Sequence, residues 1–327
     1  LGARPLWHEQ SWSVFGFVFY ARSLGGERMP WKDWSNERLG VALAVLAAFG
    51  FSFKAIFVKL AYAVAPVEAV TLLALRMAFS LPVFLWVGLV ESRSAPPLSR
   101  RDWGALVVLG LLGYYASSMF DFLGLQYISA GLERLILFTY PTLTLLIGVL
   151  FLGRPLERRQ VGALALSYAG IGLAFAHDLQ VAGEARSVLL GAGFVFASAL
   201  TYAFYSAGAE SVIRRLGASR FAALAMLVST TATQLHFFAT QPLSALRQPW
   251  PIYLYGAGMA LFSTVLPVFW QSAAIRRIGA ARAVLIGTLG PVLTIVFSWV
   301  LLNEAMSLAQ VAGAGLVLLG VWWVSRP

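Results

Sequence analysis

The sequence predicts an all-α integral membrane protein of ten transmembrane helices, arranged as two inverted five-helix repeats. Three observations carry that expectation. The 327 residues are 59% hydrophobic and only 12% charged, with a mean hydropathy of +0.77, far too little polar surface for a soluble globule of this length. Ten apolar runs are each long enough to cross a ~30 Å hydrocarbon core at about 1.5 Å per residue. The stretch from Asp121 to Pro141 returns 150 residues later as Gln271 to Pro291.

The ten runs fall at roughly 39–64, 67–90, 103–127, 130–152, 158–176, 187–209, 218–239, 250–275, 280–302 and 307–325. Their uninterrupted apolar character excludes a transmembrane barrel, whose strands read as alternating segments of about ten residues. Ahead of them, residues 1–28 begin with Leu1, and their one apolar run, Val14 to Tyr20, is too short to span a bilayer. Met29, followed by the amphipathic lead-in PWKDWSNERLG, reads as the natural start. Residues 1–28 are therefore expected to lie outside the native protein, with an interfacial segment at 12–20 as the alternative.

A net charge of +10 would suggest nucleic acid in a soluble protein, but the basic residues sit in short loops. Arg93, Arg100 and Arg101 follow the second span, Arg154, Arg158 and Arg159 the fourth, Arg214, Arg215 and Arg220 the sixth, and Arg276, Arg277 and Arg282 the eighth. Lys32, Arg38 and Arg326 join them on one side, against Lys59, Arg134, Arg186 and Arg247 on the other. By the positive-inside rule both termini are cytoplasmic in a bacterial inner membrane. No nucleic-acid partner is expected. The chain has no cysteine, which removes disulfides and thiolate metal sites.

The two copies match at Ile128/Ile278, Ala130/Ala280, Leu135/Leu285, Ile136/Ile286 and Pro141/Pro291, and onward at Thr144/Thr294, Leu152/Leu302, Gln160/Gln310 and Gly170/Gly320. Five spans per copy is an odd number, so the second copy enters the membrane in the opposite sense. The loop charges agree: Ser129–Gly131 is nearly uncharged, while its counterpart around 276–282 carries three arginines. Inverted repeats are a transporter architecture with the substrate site near the midplane. Pro141 and Pro291 fall about ten residues into the fourth and ninth spans, where a proline kinks a helix and could act as a hinge. Ala165/Ala169 and Ala309/Gly313 suit close helix packing in lipid.

GLQYISAGL at the end of the third span, FLGRPLERRQVGALALSYAGIGLA after the proline-bearing fourth, and the second pass through VLLNEAMSLAQVAGAGLVLLGVWW resemble the EamA-type family of the drug/metabolite transporter superfamily, in its ten-helix form with two EamA repeats. The resemblance covers residues 39–325. It implies a first repeat at 39–177 and a second at 187–325, preceded by a lead-in at 1–38. It also implies secondary transport of small metabolites, often export of amino acids or related compounds. Family members usually carry a glutamate just after the fourth helix of each repeat; Glu304 keeps it in the second repeat, and Arg154 replaces it in the first.

Ionisable groups in hydrocarbon are costly and usually face a cavity or one another. Lys54 lies about 24 Å along the first span from Arg38, Arg76 about 12 Å down the second from Glu68, and Asp121 about 9 Å below the outer end of the third. Glu133 opens the fourth span from the same side, next to Arg134. Asp121, with Arg76 or Lys54, is expected to form a charged cavity wall that binds a zwitterionic substrate or takes up a proton; a structural ion pair is the alternative. Glu133 and Arg134 are gate candidates, against simple capping of the fourth span, while Arg154 and Glu304 read as loop charges. Tyr114, Ser117, Ser118 and Asp121 share one helix face, as do Ser198, Thr201, Tyr202 and Tyr205. Such faces suit a cavity lining or interhelical hydrogen bonds.

No phosphate-binding G-x-x-x-x-G-K-S/T motif occurs, and none of the three lysines follows a glycine, so transport would draw on an ion gradient or on exchange. No zinc or nucleophile-elbow signature is present, and no cofactor is expected. The expected function is secondary active transport of a small polar or amphipathic metabolite, amino acid-like or drug-like, by alternating access, with export favoured. Its partners are that metabolite, the lipid bilayer, protons and a second copy of the chain. An intramembrane enzyme acting on lipid-linked substrates and a passive facilitator are the rival readings.

Overall fold

The computed structural model describes residues 30–93, 95–152, 158–181, 185–278, 283, 286–287, 289–304 and 307–325. The expectations concerning residues 1–28, Arg154, Arg282 and Arg326 lie outside these residues. The packing that follows concerns residues 39–327, which form one compact unit.

Among the described residues the chain is helical, with no strand. Seven helical segments are long and apolar enough to cross a membrane: Asn36–Val64, Ala69–Arg93, Arg100–Gly124, Ala130–Phe151, Ala185–Ala209, Ala218–Thr240 and Trp250–Ile275. Two shorter apolar helices, Leu289–Leu302 and Leu308–Gly320, stand at the ninth and tenth spans, and a helix over Arg158–Val181 stands at the fifth. Each expected span is thus met by a helix, because in lipid the backbone must satisfy its own hydrogen bonds. Large apolar side chains such as Leu89, Phe151, Phe238 and Trp299 face outward, as a lipid-facing surface requires.

Three spans are not plain α-helices. The third is α-helical over Arg100–Gly110, π-helical over Leu111–Ala116, and α-helical again over Ser117–Gly124. The eighth repeats the pattern as Trp250–Ala260, a π segment over Leu261–Val265, and Leu266–Ile278. The two π segments begin 150 residues apart, the offset of the duplication, and such bulges concentrate at functional sites.

The fourth span is broken rather than kinked. It runs as Ala130–Leu137, turns through Phe138 and Thr139, and resumes as Tyr140–Leu152. Pro141 explains the break: its ring would meet the carbonyl four residues back, that of Leu137, where the first piece stops. Thr139 bridges the gap by donating both its N–H and its hydroxyl to Ile136 O. Pro141 consequently occupies a first turn, where a missing N–H costs little. Pro291 likewise lies in the first turn of Leu289–Leu302.

Helix packing is reciprocal between the copies. The second span packs on the eighth and the third on the seventh. The third and fourth pack on the sixth, while the first meets the eighth through Gly50 and Pro267 and the ninth through Phe53 and Phe297. The second and seventh spans, and the fifth and tenth, pair with each other. Each of these contacts maps onto its partner when each span is exchanged for the one five places on, which is the reciprocity of a two-fold-related duplication. The fifth and tenth spans approach closely because a Cβ at Gly170 or at Gly313 would stand 2.4 Å from the other residue's carbonyl oxygen. The central core gathers Ile56, Leu72, Met77, Phe122, Met226 and Met259 from five spans.

Candidate functional site

Lys54, Asp121 and Glu133 converge from three spans of the first repeat. Lys54 Nζ stands 2.8 Å from Asp121 Oδ2 and 3.8 Å from Glu133 Oε1. Asp121 is 1% exposed and Glu133 0%. The two carboxyl groups gather on that one ammonium, and none of their four oxygens has a hydrogen-bond partner among the described residues. The Lys54–Asp121 contact is therefore an ion pair by distance, not a directed hydrogen bond. Within the trio alone one lysine faces two carboxyl groups, so the trio carries a net negative charge unless it binds a proton.

Arg76 does not join that pair. Its Nε donates to Thr264 Oγ1 at 2.9 Å and its Nη1 to Ser118 Oγ at 3.4 Å, with the guanidinium 5.6 Å from the centre of the Phe122 ring. Thr264 belongs to the π segment of the eighth span and donates its own hydroxyl to Met259 O, five residues back, leaving an oxygen lone pair for Arg76. A residue of the second repeat thus holds a cation of the first.

The hydroxyl faces divide. Tyr114 and Tyr205 share a hydrogen bond between their hydroxyls at 2.9 Å, Tyr202 lies 5.3 Å from Tyr205, and Tyr140 meets Tyr202 edge-on at 4.8 Å. Ser117 and Ser198 are hydrogen-bonded at 3.1 Å, and Ser198 also donates to Ser117 O. That pair ties helices together, and Thr201 donates back to Ala197 O and Ser198 O of its own helix. Ser118, Tyr114, Tyr140 and Tyr202 are only partly buried. Tyr115 turns away to His236 Nδ1.

Glu133 lies against Lys54, whereas Arg134, 8% exposed, extends to Gly290 of the ninth span. The fourth span starts from Ser129, whose hydroxyl accepts from Leu132 N.

Sequence reasoning passed over Lys59 and read Glu304 as a loop charge. Glu304 instead reaches across to the fourth span, where both carboxylate oxygens accept from Ala130 N at 3.1 and 3.3 Å. Lys59 Nζ lies 3.9 Å from Glu304 Oε1 and donates to Ile128 O at 2.9 Å. Asn303, at φ 53°, ends the ninth span in the left-handed conformation that aims Glu304 this way. Burial pushes the Glu304 carboxyl above the usual glutamate range, opposed by Lys59 and the Ala130 N–H. The signal available in the sequence was the first turn of the fourth span, whose open N–H groups attract an anion.

A family model described as the EamA-like transporter family matches residues 38–176 and again 189–326. The chain belongs to that family. Among curated relatives, the uncharacterized transporter YcbK of Bacillus subtilis (strain 168) is 27% identical over 296 residues, 87% of this chain and 91% of its own. A protein of Streptantibioticus cattleyicolor named as a probable terminal-alkyne amino-acid exporter is 25% identical over 232 residues, 69% of this chain and 74% of its own. A crystal structure superimposes with a TM-score of 0.63 at 19% identity, covering 87% of this chain and 96% of its own, a likeness that speaks to the fold alone. This EamA-family chain is a multi-pass membrane transporter, and its relatives are named as transporters, not enzymes.

Proposed function

We propose that this EamA-family chain is a secondary active transporter that exports a small amphipathic metabolite across the bacterial inner membrane by alternating access, in exchange for protons. Its repeats are assigned to 39–177 and 187–325, with both termini in the cytoplasm, on the strength of the duplication and the loop arginines.

The observation that carries this reading is the trio of Lys54, Asp121 and Glu133, two buried carboxyl groups on one partly buried lysine. Asp121 and Glu133 both lie against Lys54 Nζ, and one proton taken up by the pair leaves a single negative charge for Lys54 to neutralise. Opening the site to one side lets water solvate the carboxylates and release that proton; closing it favours uptake. The arrangement couples protonation to the state of the transporter without any nucleotide. Arg76 on Thr264 and Ser118 and the Tyr114–Tyr205–Tyr202–Tyr140 group offer a polar and an aromatic end to a substrate between them. The exporter name of the Streptantibioticus relative agrees with the direction.

Glu304 and Lys59, closing on Ala130 and Ile128, serve in this reading as the outer gate. The paired prolines and π segments are the places where the repeats rock. Metabolite flux in proteoliposomes with and without an imposed pH gradient tests the reading. Gradient-driven, saturable flux with counterflow supports it; gradient-insensitive equilibration without counterflow replaces it with a passive facilitator.

A further inference from the structure

Arg134 is the cation that the charge pattern leaves over. It is more than nine-tenths buried, and its Nε has no hydrogen-bond partner among the described residues. Lys54 is held by Asp121 and Glu133, and Arg76 by Thr264 and Ser118. Asp121 and Glu133 act on Arg134 only through longer-range attraction. Arg76, Arg134 and the partly buried Lys54 thus accompany two carboxyl groups in this region, and the cations outnumber the carboxylates whether or not the pair binds a proton. A guanidinium whose buried Nε lacks a partner is disfavoured, and an anion beside it would supply the missing acceptor.

The surroundings say which anion fits. The guanidinium lies against Gly290, where a Cβ would come within 3.1 Å of Nη2. Gly290 is the duplication mate of Tyr140, and Arg134 itself is the mate of Val284; the second copy has lost the bulky ring at the place where the first has gained the charge. A planar guanidinium presents paired N–H donors that match a carboxylate, and Tyr140, on the same span as Arg134, meets the Tyr202 ring edge-on.

We propose that Arg134, seated over Gly290, receives the carboxylate of the transported molecule, and that the substrates are small monocarboxylates with an apolar or aromatic body for which an amino group is dispensable. This rests on the transport reading above and narrows it. The charge excess favours a net anion over a neutral zwitterion, and the tyrosines accept the body.

The test uses the purified full chain in lipid nanodiscs, read by thermal shift, and in proteoliposomes, read by counterflow. The probes are matched sets: 4-methylpentanoate, leucine and leucinamide; 3-phenylpropanoate, phenylalanine and phenylalaninamide; and a lipophilic cation, tetraphenylphosphonium. Carboxylates with and without the amine are expected to shift melting and drive counterflow, and the amides are not. Arg134→Gln is expected to weaken carboxylate binding roughly ten- to a hundredfold, with Arg134→Lys recovering part of it. Gly290→Ala, which leaves the charge in place but crowds Nη2, is expected to raise the apparent Kd for carboxylates with no loss of melting temperature in the absence of ligand. Amides as effective as their carboxylates, or an Arg134→Gln protein that keeps the wild-type preference, overturns the inference. Transport of the cation alone, with a pH-gradient response that depends on Asp121, overturns it while leaving the transport reading intact; no response to any probe in either assay counts against both.

Discussion

Lys54 Nζ and Asp121 Oδ2 stand 2.8 Å apart, joining the first span to the third where the surrounding helices supply mainly apolar side chains. Glu133 shares the same ammonium. Removing Lys54 therefore strips the counter-ion from two buried carboxyl groups together. Lys54→Met is expected to destabilise the fold by about 3–5 kcal/mol, and Asp121→Asn in the same chain is expected to restore a large part of it. Thermal unfolding of the single and double variants in detergent measures the coupling; additive losses would show that the two residues do not depend on each other.

Glu304 provides a pH test away from the helix interiors. Burial raises its carboxyl above the usual glutamate range in the folded chain, so folding favours the protonated form. The stability linked to that proton is fully present below the unfolded-state pKa and is lost as pH rises through the raised folded value. Wild type is thus expected to lose stability relative to Glu304→Gln as pH climbs from the ordinary glutamate range towards neutrality. Melting curves of the two proteins across that window check it, and parallel pH profiles would contradict it.

The fifth and tenth spans meet through Gly170 and Gly313. A Cβ on either stands 2.4 Å from the facing carbonyl oxygen, a backbone contact that cannot rotate away. Gly170→Ala is expected to cost about 1–3 kcal/mol by overpacking, whereas Gly172→Ala, which meets open space, is expected to be neutral or slightly stabilising. Chemical unfolding in mixed micelles separates the two.

Tyr205 packs against the π segment of the third span, where a Cβ on Gly113 would stand 2.3 Å from its ring, and its hydroxyl meets that of Tyr114. Tyr205→Phe is expected to cost about 0.5–1.5 kcal/mol in stability and to lower transport of substrates with aromatic bodies more than of aliphatic ones. Gly113→Ala is expected to be the harsher change, since it displaces the ring. Unfolding and relative uptake rates compare the two.

The spans and the duplication were readable because apolar length and a fixed offset survive in one sequence. The way the helices depart from ideality was not. Pro141 announces a disturbance, but whether a helix kinks or breaks depends on how Thr139 can bond Ile136, which composition does not reveal. The paired π segments have no sequence mark beyond their shared offset. Within the site, Lys54, Arg76, Asp121 and Glu133 stood out by charge alone; which of them touch depends on helix rotation, and it is the hydroxyl of Thr264, a residue of the other repeat, that holds Arg76 away from an ion pair. Glu304 was misread because its partner, Ala130 N, is a backbone group 174 residues away.

The proton taken up by the pair of Asp121 and Glu133 is the centre of the proposed mechanism, and substrate counterflow and gradient-driven uptake measured side by side in proteoliposomes test it most directly. Asp121→Asn and Glu133→Gln are predicted to insert normally and to keep counterflow, which needs no net proton movement, while uptake loses its response to an imposed pH gradient. Gradient-driven uptake at the wild-type rate in both variants would contradict the mechanism.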